Sequence, residues 1–377
     1  MSRFTDWLAE RAAAREAAGL TRRLFASDAV PDSGRPMIDL AGNDYLGLAR
    51  HPRVVAGATA AAERYGAGAG ASRLVTGTLT VHEELERALA SFTGFPAALA
   101  FSTGYHANLA AVSALADADT LVVSDAHVHA SMIDACRLAR AEVAVVPHND
   151  VGAVERFLAG RAQSRALVLV ETIYSVLGDA AHVEELAAVC ARHEAVLVAD
   201  EAHALGVGGV DGRGLLHAAG LGGADHVVAT LTLSKSLGSQ GGAVLASPAV
   251  REHLINTARP FIYDTGLAPA AAGAAVAALA VVAEEPERVA RVRAVARALA
   301  KAGAVPEAAG AVLAIAMPGP REAVTAVARA AEQGVRIGCF RPPSTPDGIS
   351  RLRLTAHAHL SDDEVDTAVR VLEELVG

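Results

Sequence analysis

Apolar positions gather into short, nearly continuous runs through the first two thirds of the chain: "ALAFST", "DTLVVSD", "EVAVVPH", "RALVLVET", "AVLVADEA", "HVVATLTLS" and "GAVLAS". Such runs suit strands buried on both faces. Between them lie amphipathic stretches such as "HVEELAAVCARHE", with apolar residues at helical spacing. The alternation predicts an α/β domain, a mostly parallel sheet between two layers of helices. After Tyr263 the pattern changes to a long alanine-rich helical region, the shorter strands "GAVLAIAMP" and "ISRLRLTAH", and a final helix "DDEVDTAVRVLEELV". That part predicts a smaller α+β domain. The expected division is an N-terminal helix and arm over 1–45, a large domain over 46–262 and a small C-terminal domain over 263–377.

Composition refines this picture. The 377 residues are 52% hydrophobic but only 4% aromatic, so the core is expected to consist of small side chains in closely packed elements. A net charge of −9 argues against a general nucleic-acid or anionic-membrane surface. The most apolar stretch, "APAAAGAAVAALAVVAEEPE", soon meets charge and reads as a buried helix rather than a membrane span. The start "MSRFTDWLAERAAAREAAG" lacks the apolar core of a signal peptide, which points to the cytoplasm. Cys136, Cys190 and Cys339 are scattered and odd in number, and they read as reduced packing residues.

In open parallel sheets, ligands sit beyond the carboxyl ends of the strands. The polar residues there are Gly104, Ser124 to His129, Glu171 to Ser175, Asp200 to His203 and Thr232 to Lys235. "VLVADEAH" resembles the magnesium-binding element of a DEAH-type ATPase. The glycine-rich phosphate loop such an enzyme needs is missing, because the only Lys-Ser pair, Lys235 and Ser236, follows "VATLTLS". His127 and His129 lack metal-ligand spacing, so no metal site is expected. What remains is a lysine, an acid and histidines at neighbouring strand ends. A desolvated lysine forms Schiff bases with aldehydes. Pyridoxal 5'-phosphate needs such a lysine, an acid at its ring nitrogen, and a phosphate site of backbone N–H groups and hydroxyls.

"NDYLGLA", "GAGASRLVTG", "STGYHAN", "DAHVHAS", "ETIYSVLGD", "ADEAHALGVGG", "TLSKSLGSQGG" and "RPPSTPDGISRLRLTAHA" occur in order and at about the spacing of the α-oxoamine synthases. The chain resembles that family from about residue 5 to its end. The resemblance implies a fold-type I pyridoxal-phosphate transferase that condenses an amino acid with an acyl thioester and releases carbon dioxide. The "RPPSTPDGISRLRLT" tail favours the branch that joins L-alanine to a pimeloyl thioester, carried on coenzyme A or an acyl carrier protein, in biotin biosynthesis. Glycine C-acetyltransferase and 5-aminolevulinate synthase are the alternatives. The resemblance further implies a homodimer with shared active sites.

Carried over, the resemblance makes Lys235 the Schiff-base lysine and base, with Asp200 at the pyridine nitrogen and His203 at the ring's 3-oxygen. His129 would stack on the ring. Gly104, Tyr105 and Thr232 would hold the phosphate, Ser175 would contact the ring region, and Thr265 would reach a partner subunit's phosphate. Asn43 and Tyr45 would line the acyl side. Arg353 would hold the amino-acid carboxylate, with Thr355 and Arg22 as further substrate contacts. As a rival reading, Arg353 and Arg351 would be rungs of a solvated "RLRL" edge strand, and Glu201 a helix cap. Three departures from the family pattern stand out: "SVLGD" for Ser-Met-Asp-Gly-Asp at the pocket wall, "YDTGLAP" for Tyr-Ser-Thr-x-x-x-Pro, and Thr21 opening an arginine cluster in which Arg22 or Arg23 would reach substrate.

Overall fold

The computed structural model describes residues 2–22, 24, 37–342 and 344–376; Arg23 lies outside the described residues. In chain order the strands are β1 (Ile38–Leu40), β2 (Ala97–Phe101), β3 (Thr120–Asp125), β4 (Glu142–Val146), β5 (Arg165–Glu171), β6 (Val196–Asp200), β7 (Val227–Thr232), β8 (Gly242–Ala246), β9 (Val312–Ala316), β10 (Val335–Phe340) and β11 (Arg351–Thr355). The seven apolar runs of the central region are β2 to β8. They form one sheet in the order β2-β8-β7-β6-β5-β3-β4, parallel except for β8, which runs antiparallel to both neighbours.

Side chains along the central strands alternate between two cores, as the two-residue strand period requires. Val123, Val168, Leu197 and Ala229 pack with the helices Thr80–Thr93, Val183–Arg192 and Pro269–Glu284. Val122, Leu167, Val198 and Val228 pack with Gly104–Leu115, Ala130–Ala139 and Pro248–Thr257. Both faces are therefore dry, and the carboxyl ends of β3, β5, β6 and β7 are where polar groups gather.

Small residues allow close helix packing. Pro269–Glu284 lies against Pro52–Tyr65, and a Cβ built on Gly273 would come within 2.5 Å of the Gly57 carbonyl oxygen. Gly273→Leu is accordingly expected to lower unfolding stability by about 1–3 kcal/mol through overpacking. Urea denaturation of the variant at unchanged m-value checks this, and an unshifted midpoint would contradict it. No single helix among the described residues is long and apolar enough to cross a membrane, and much of Pro269–Glu284 is buried.

The second sheet has the order β1-β10-β11-β9. Two of its strands, β1 and β10, are absent from the sequence-based expectation, and β1 comes from the segment assigned to the N-terminal arm. β11 is an interior strand, antiparallel to β10 on one side and β9 on the other. The solvated-edge reading of "RLRL" is thereby corrected: Arg351 and Arg353 are both buried. Arg351 is neutralised by Asp347 at 2.5 Å, four residues earlier in sequence.

Candidate active site

The carboxyl ends of β3, β5, β6 and β7 and residues from the second sheet enclose a cavity of about 350 Å³, with Asn43, His129, Ser175, His203, Lys235 and Arg353 in its lining. Lys235 follows β7 in a loop closed by Leu233 N–H donating to the Gly241 carbonyl and Gly238 N–H donating to Lys235's own carbonyl. Gly238 has φ +59°, and a Cβ there would meet the Ala49 backbone nitrogen at 2.2 Å. The glycines of "SKSLGSQGG" therefore let this loop close against the chain near β1.

A continuous hydrogen-bonded chain begins at the lysine. Lys235 Nζ lies 2.8 Å from His203 Nε2, and His203 Nδ1 lies 2.7 Å from the Tyr45 hydroxyl. That hydroxyl donates to Asn43 Oδ1 at 3.0 Å, and Arg353 donates to the same oxygen from Nη1 and Nη2 at 3.3 and 3.2 Å. Because the Tyr45 proton is committed to Asn43, His203 Nδ1 is the donor to Tyr45 and Nε2 the acceptor from Lys235. Burial, with the Lys235 charge adding to it, keeps His203 neutral by driving its pKa well below the usual histidine range. Burial lowers the Lys235 ammonium to about 8 against the opposing pull of Asp200 and Glu171.

Asp200 ends β6 and is buried. Its Oδ1 accepts from Ala202 N–H at 2.8 Å and its Oδ2 from Asn108 Nδ2 at 2.7 Å. Asn108 is fully used: it also donates to Ser131 Oγ at 2.8 Å and accepts from Thr230 Oγ1 at 2.5 Å. Ser131 Oγ in turn lies 2.7 Å from His129 Nδ1, which accepts the Ser131 N–H as well. Neutral His129 therefore carries its proton on Nε2, and it lines the cavity.

The start of the helix Gly104–Leu115 faces the end of β7. A Cβ on Gly104 would sit 2.9 Å from Thr232 Cβ and 3.1 Å from Thr232 Oγ1, and Thr232 Oγ1 is 2.7 Å from Ser234 Oγ. Hydroxyls and helix N-terminal N–H groups thus converge on one spot. Ser175 sits above β5: its N–H donates to Glu171 Oε2 at 2.9 Å, and its carbonyl accepts from Arg353 Nε at 2.6 Å. Burial, then the Asp200 charge, pushes the Glu171 carboxyl up to about 8.

The structure thus brings Lys235, His203, His129, Ser175, Asn43 and Arg353 to one cavity, with Asp200 and Thr232 at its strand ends. Other expected residues lie elsewhere. Tyr45 and Thr355 are wholly buried and outside the cavity lining, Tyr45 behind His203 and Thr355 bonded to His357 at 2.9 Å. Tyr45 contacts His203 Nδ1 at 2.7 Å and does not itself line the cavity. Tyr105 is exposed, donating to Asp134 at 2.6 Å, with its ring edge-on to His129 at 6.5 Å. Arg22 lies in an adjoining groove of about 940 Å³ and donates to Ser344 Oγ at 2.9 Å, while Ser344 also lines the cavity. Exposed Thr265 pairs through its backbone with Ser72. Val176 of "SVLGD" lines the cavity. Asn108, Ser344 and the part played by Glu171 escaped the sequence reading. A lone asparagine one turn into an alanine-rich helix was the available signal for Asn108.

Residues 35–372 match the family model described as aminotransferase class I and II. A protein named 8-amino-7-oxononanoate synthase from Mycobacterium sp. (strain KMS) is 55% identical over 371 residues, 98% of this chain and 96% of the relative. One of the same name from Mycolicibacterium smegmatis is 53% identical over 372 residues, again 98% and 96% of the two chains. The chain belongs to the 8-amino-7-oxononanoate synthase family. Among solved structures, a Sphingomonas wittichii serine palmitoyltransferase superposes with a TM-score of 0.89 at 31% identity, covering 99% of this chain and 97% of that one. A substituted serine palmitoyltransferase from S. paucimobilis, with a bound PLP–myriocin adduct, gives a TM-score of 0.90 at 31% identity, with the same coverage. The 8-amino-7-oxononanoate synthase family consists of pyridoxal-phosphate-dependent acyltransferases of fold-type I, and this chain is such an enzyme. The donor set fits the cofactor: a lysine of lowered pKa, a buried carboxylate and a hydroxyl-lined helix start stand at adjacent strand ends. The ATPase reading fails, because Glu201 is buried and accepts the Leu216 N–H at the short helix Leu215–Ala218, a cap as expected.

Proposed function

We propose that the enzyme condenses L-alanine with a pimeloyl thioester to give 8-amino-7-oxononanoate, carbon dioxide and free thiol, as a step of biotin biosynthesis. The single observation that best supports this is the continuous chain Lys235–His203–Tyr45–Asn43–Arg353, which sets a nucleophilic amine and a carboxylate-binding guanidinium in one cavity. Bound pyridoxal phosphate supplies the electrophilic carbonyl and the electron sink that stabilises negative charge at the alanine Cα. Lys235 provides the amine that holds the cofactor, then removes the Cα proton and later returns one. Asp200, fixed by Asn108 and the Ala202 N–H, would keep the ring nitrogen protonated. Of the cofactor, His203 would face the ring's oxygen, His129 would cover the ring face, and Gly104 with Thr232 would bind the phosphate. Arg353, anchored from behind by the Ser175 carbonyl and Asn43, receives the alanine carboxylate. A carbon–carbon bond forms to the thioester carbonyl as the carbon–sulfur bond breaks, and the carboxylate then leaves as carbon dioxide.

The deciding measurement is thiol release with alanine plus pimeloyl-CoA, compared with glycine plus acetyl- or succinyl-CoA. Turnover at least tenfold faster with the first pair is expected, and preference for either glycine pair would transfer the chain to another α-oxoamine synthase activity. The same assay with pimeloyl-loaded acyl carrier protein identifies the carrier. We further read the exposed Leu74, Val75 and Tyr263 beside the Ser72–Thr265 pairing as a face between two copies, with Thr265 reaching the partner's phosphate site. A monomeric mass by light scattering would remove that reading.

A further inference from the structure

His148 lies two residues beyond β4, in neither the catalytic chain nor the cavity lining. Its Nδ1 is 3.0 and 3.2 Å from the two carboxylate oxygens of Asp125, and its Nε2 is 2.9 Å from Asp179 Oδ2. Ionised carboxylates only accept hydrogen bonds, so both ring nitrogens must donate and the ring must be an imidazolium. Asp125 ends β3 and accepts the N–H groups of His127 at 2.7 Å and Asn149 at 2.8 Å. Asp179 closes the turn after β5, where Tyr174 N–H donates to its carbonyl at 3.0 Å and Asn149 Nδ2 donates to its carboxylate at 3.0 Å.

We propose that His148 is a positioning residue: as a doubly donating imidazolium it staples the loop carrying His129 to the loop carrying Ser175 and Val176. These two loops supply His127, Val128, His129, Ser175 and Val176 to the cavity lining, so their spacing sets its width. The remaining groups against the ring are Tyr174, edge-on at 4.3 Å, and His127 at 4.8 Å, with the Asp347–Arg351 pair near His127. Burial pushes the Tyr174 phenol far up, and burial together with the His148 charge keeps His127 neutral. Burial alone would lower the His148 pKa, but the hydrogen bonds to Asp125 and Asp179 outweigh it and raise it to about 9. The shift is upward, so the staple's contribution is complete below the unfolded value of roughly 6.5 and is lost as pH rises through about 9.

The role as a loop staple rests on the cavity being the active site, whereas the charge of the ring does not. In holoenzyme labelled at the histidine ring nitrogens, the signals missing from His148→Gln should show two protonated nitrogens at neutral pH, titrating near 9. His148→Gln should lose about tenfold in kcat/KM through a raised KM, and the alkaline limb near 9 should vanish from its profile. The milder Asp179→Asn should lower the His148 titration midpoint and raise KM in the same direction. A neutral His148 ring at neutral pH, or two variants with parental KM and pH profile, would overturn the staple. If the substrates prove to be others, the nitrogen signals and the pH dependence of unfolding in parent and His148→Gln still decide it.

Discussion

Lys235→Ala should lose on the order of 10³-fold or more in turnover, because in the proposed mechanism one amine serves as cofactor anchor and as base. The visible absorbance of attached cofactor should disappear from the variant after gel filtration, with its far-UV circular dichroism unchanged. Retention of turnover within tenfold of the parent would remove Lys235 from both roles. The lysine also makes a pH prediction whose sign follows from its environment. Attachment to the cofactor carbonyl needs the neutral amine, and burial lowers its pKa to about 8. Cofactor capture by the cofactor-free protein should therefore quicken about tenfold per pH unit below that value and level off above it. A solvent-exposed lysine would level off only near roughly 10.4, so the position of the plateau tests the desolvated pocket directly.

Asp200→Asn should reduce kcat by about 10² to 10⁴-fold with little change in KM, since it removes the charge that, in the proposed mechanism, would keep the ring nitrogen protonated, while preserving shape. The substitution also leaves Asn108 facing an amide where it faced a carboxylate. Loss of folding is not expected, because a buried carboxylate is costly to keep ionised, and the variant should unfold at a urea concentration no lower than the parent's. Glu171 supplies an independent check. After burial, the Asp200 charge is the next cause raising its carboxyl to about 8, so removing that charge should shift Glu171 downward. A variant with kcat within tenfold of the parent would place the ring-nitrogen contact elsewhere.

The strands of the large sheet were legible because burial on both faces demands uninterrupted apolar runs, and the seven quoted runs all became strands of that sheet. β1 is three residues long, and β10 alternates Val335 and Ile337 with Arg336 and Gly338, so neither forms a continuous apolar run. "RLRL" left a rival reading open for a different reason. Alternating charge resembles a solvent edge unless the strand is known to have a neighbour on each side, and strand order is not a local property. The lysine, acid and histidines that the structure gathers in and beside the cavity were legible from their place after apolar runs together with the ordered motifs. Asn108, Ser344 and His148 were not, because each acts through partners distant in sequence: Asn108 reaches Ser131, Asp200 and Thr230 across separations of 23, 92 and 122 residues.

By itself, then, the sequence determined the class of fold, the cofactor and the residues at strand ends from which its site is built, since apolar continuity and local motif chemistry are carried by neighbours along the chain. Only the tertiary structure decided which of those residues share the cavity, which way protons point along Lys235–His203–Tyr45–Asn43, and why two buried arginines are tolerated in β11. Hydrogen-bond direction and desolvation depend on which groups meet in space, and folding sets those meetings.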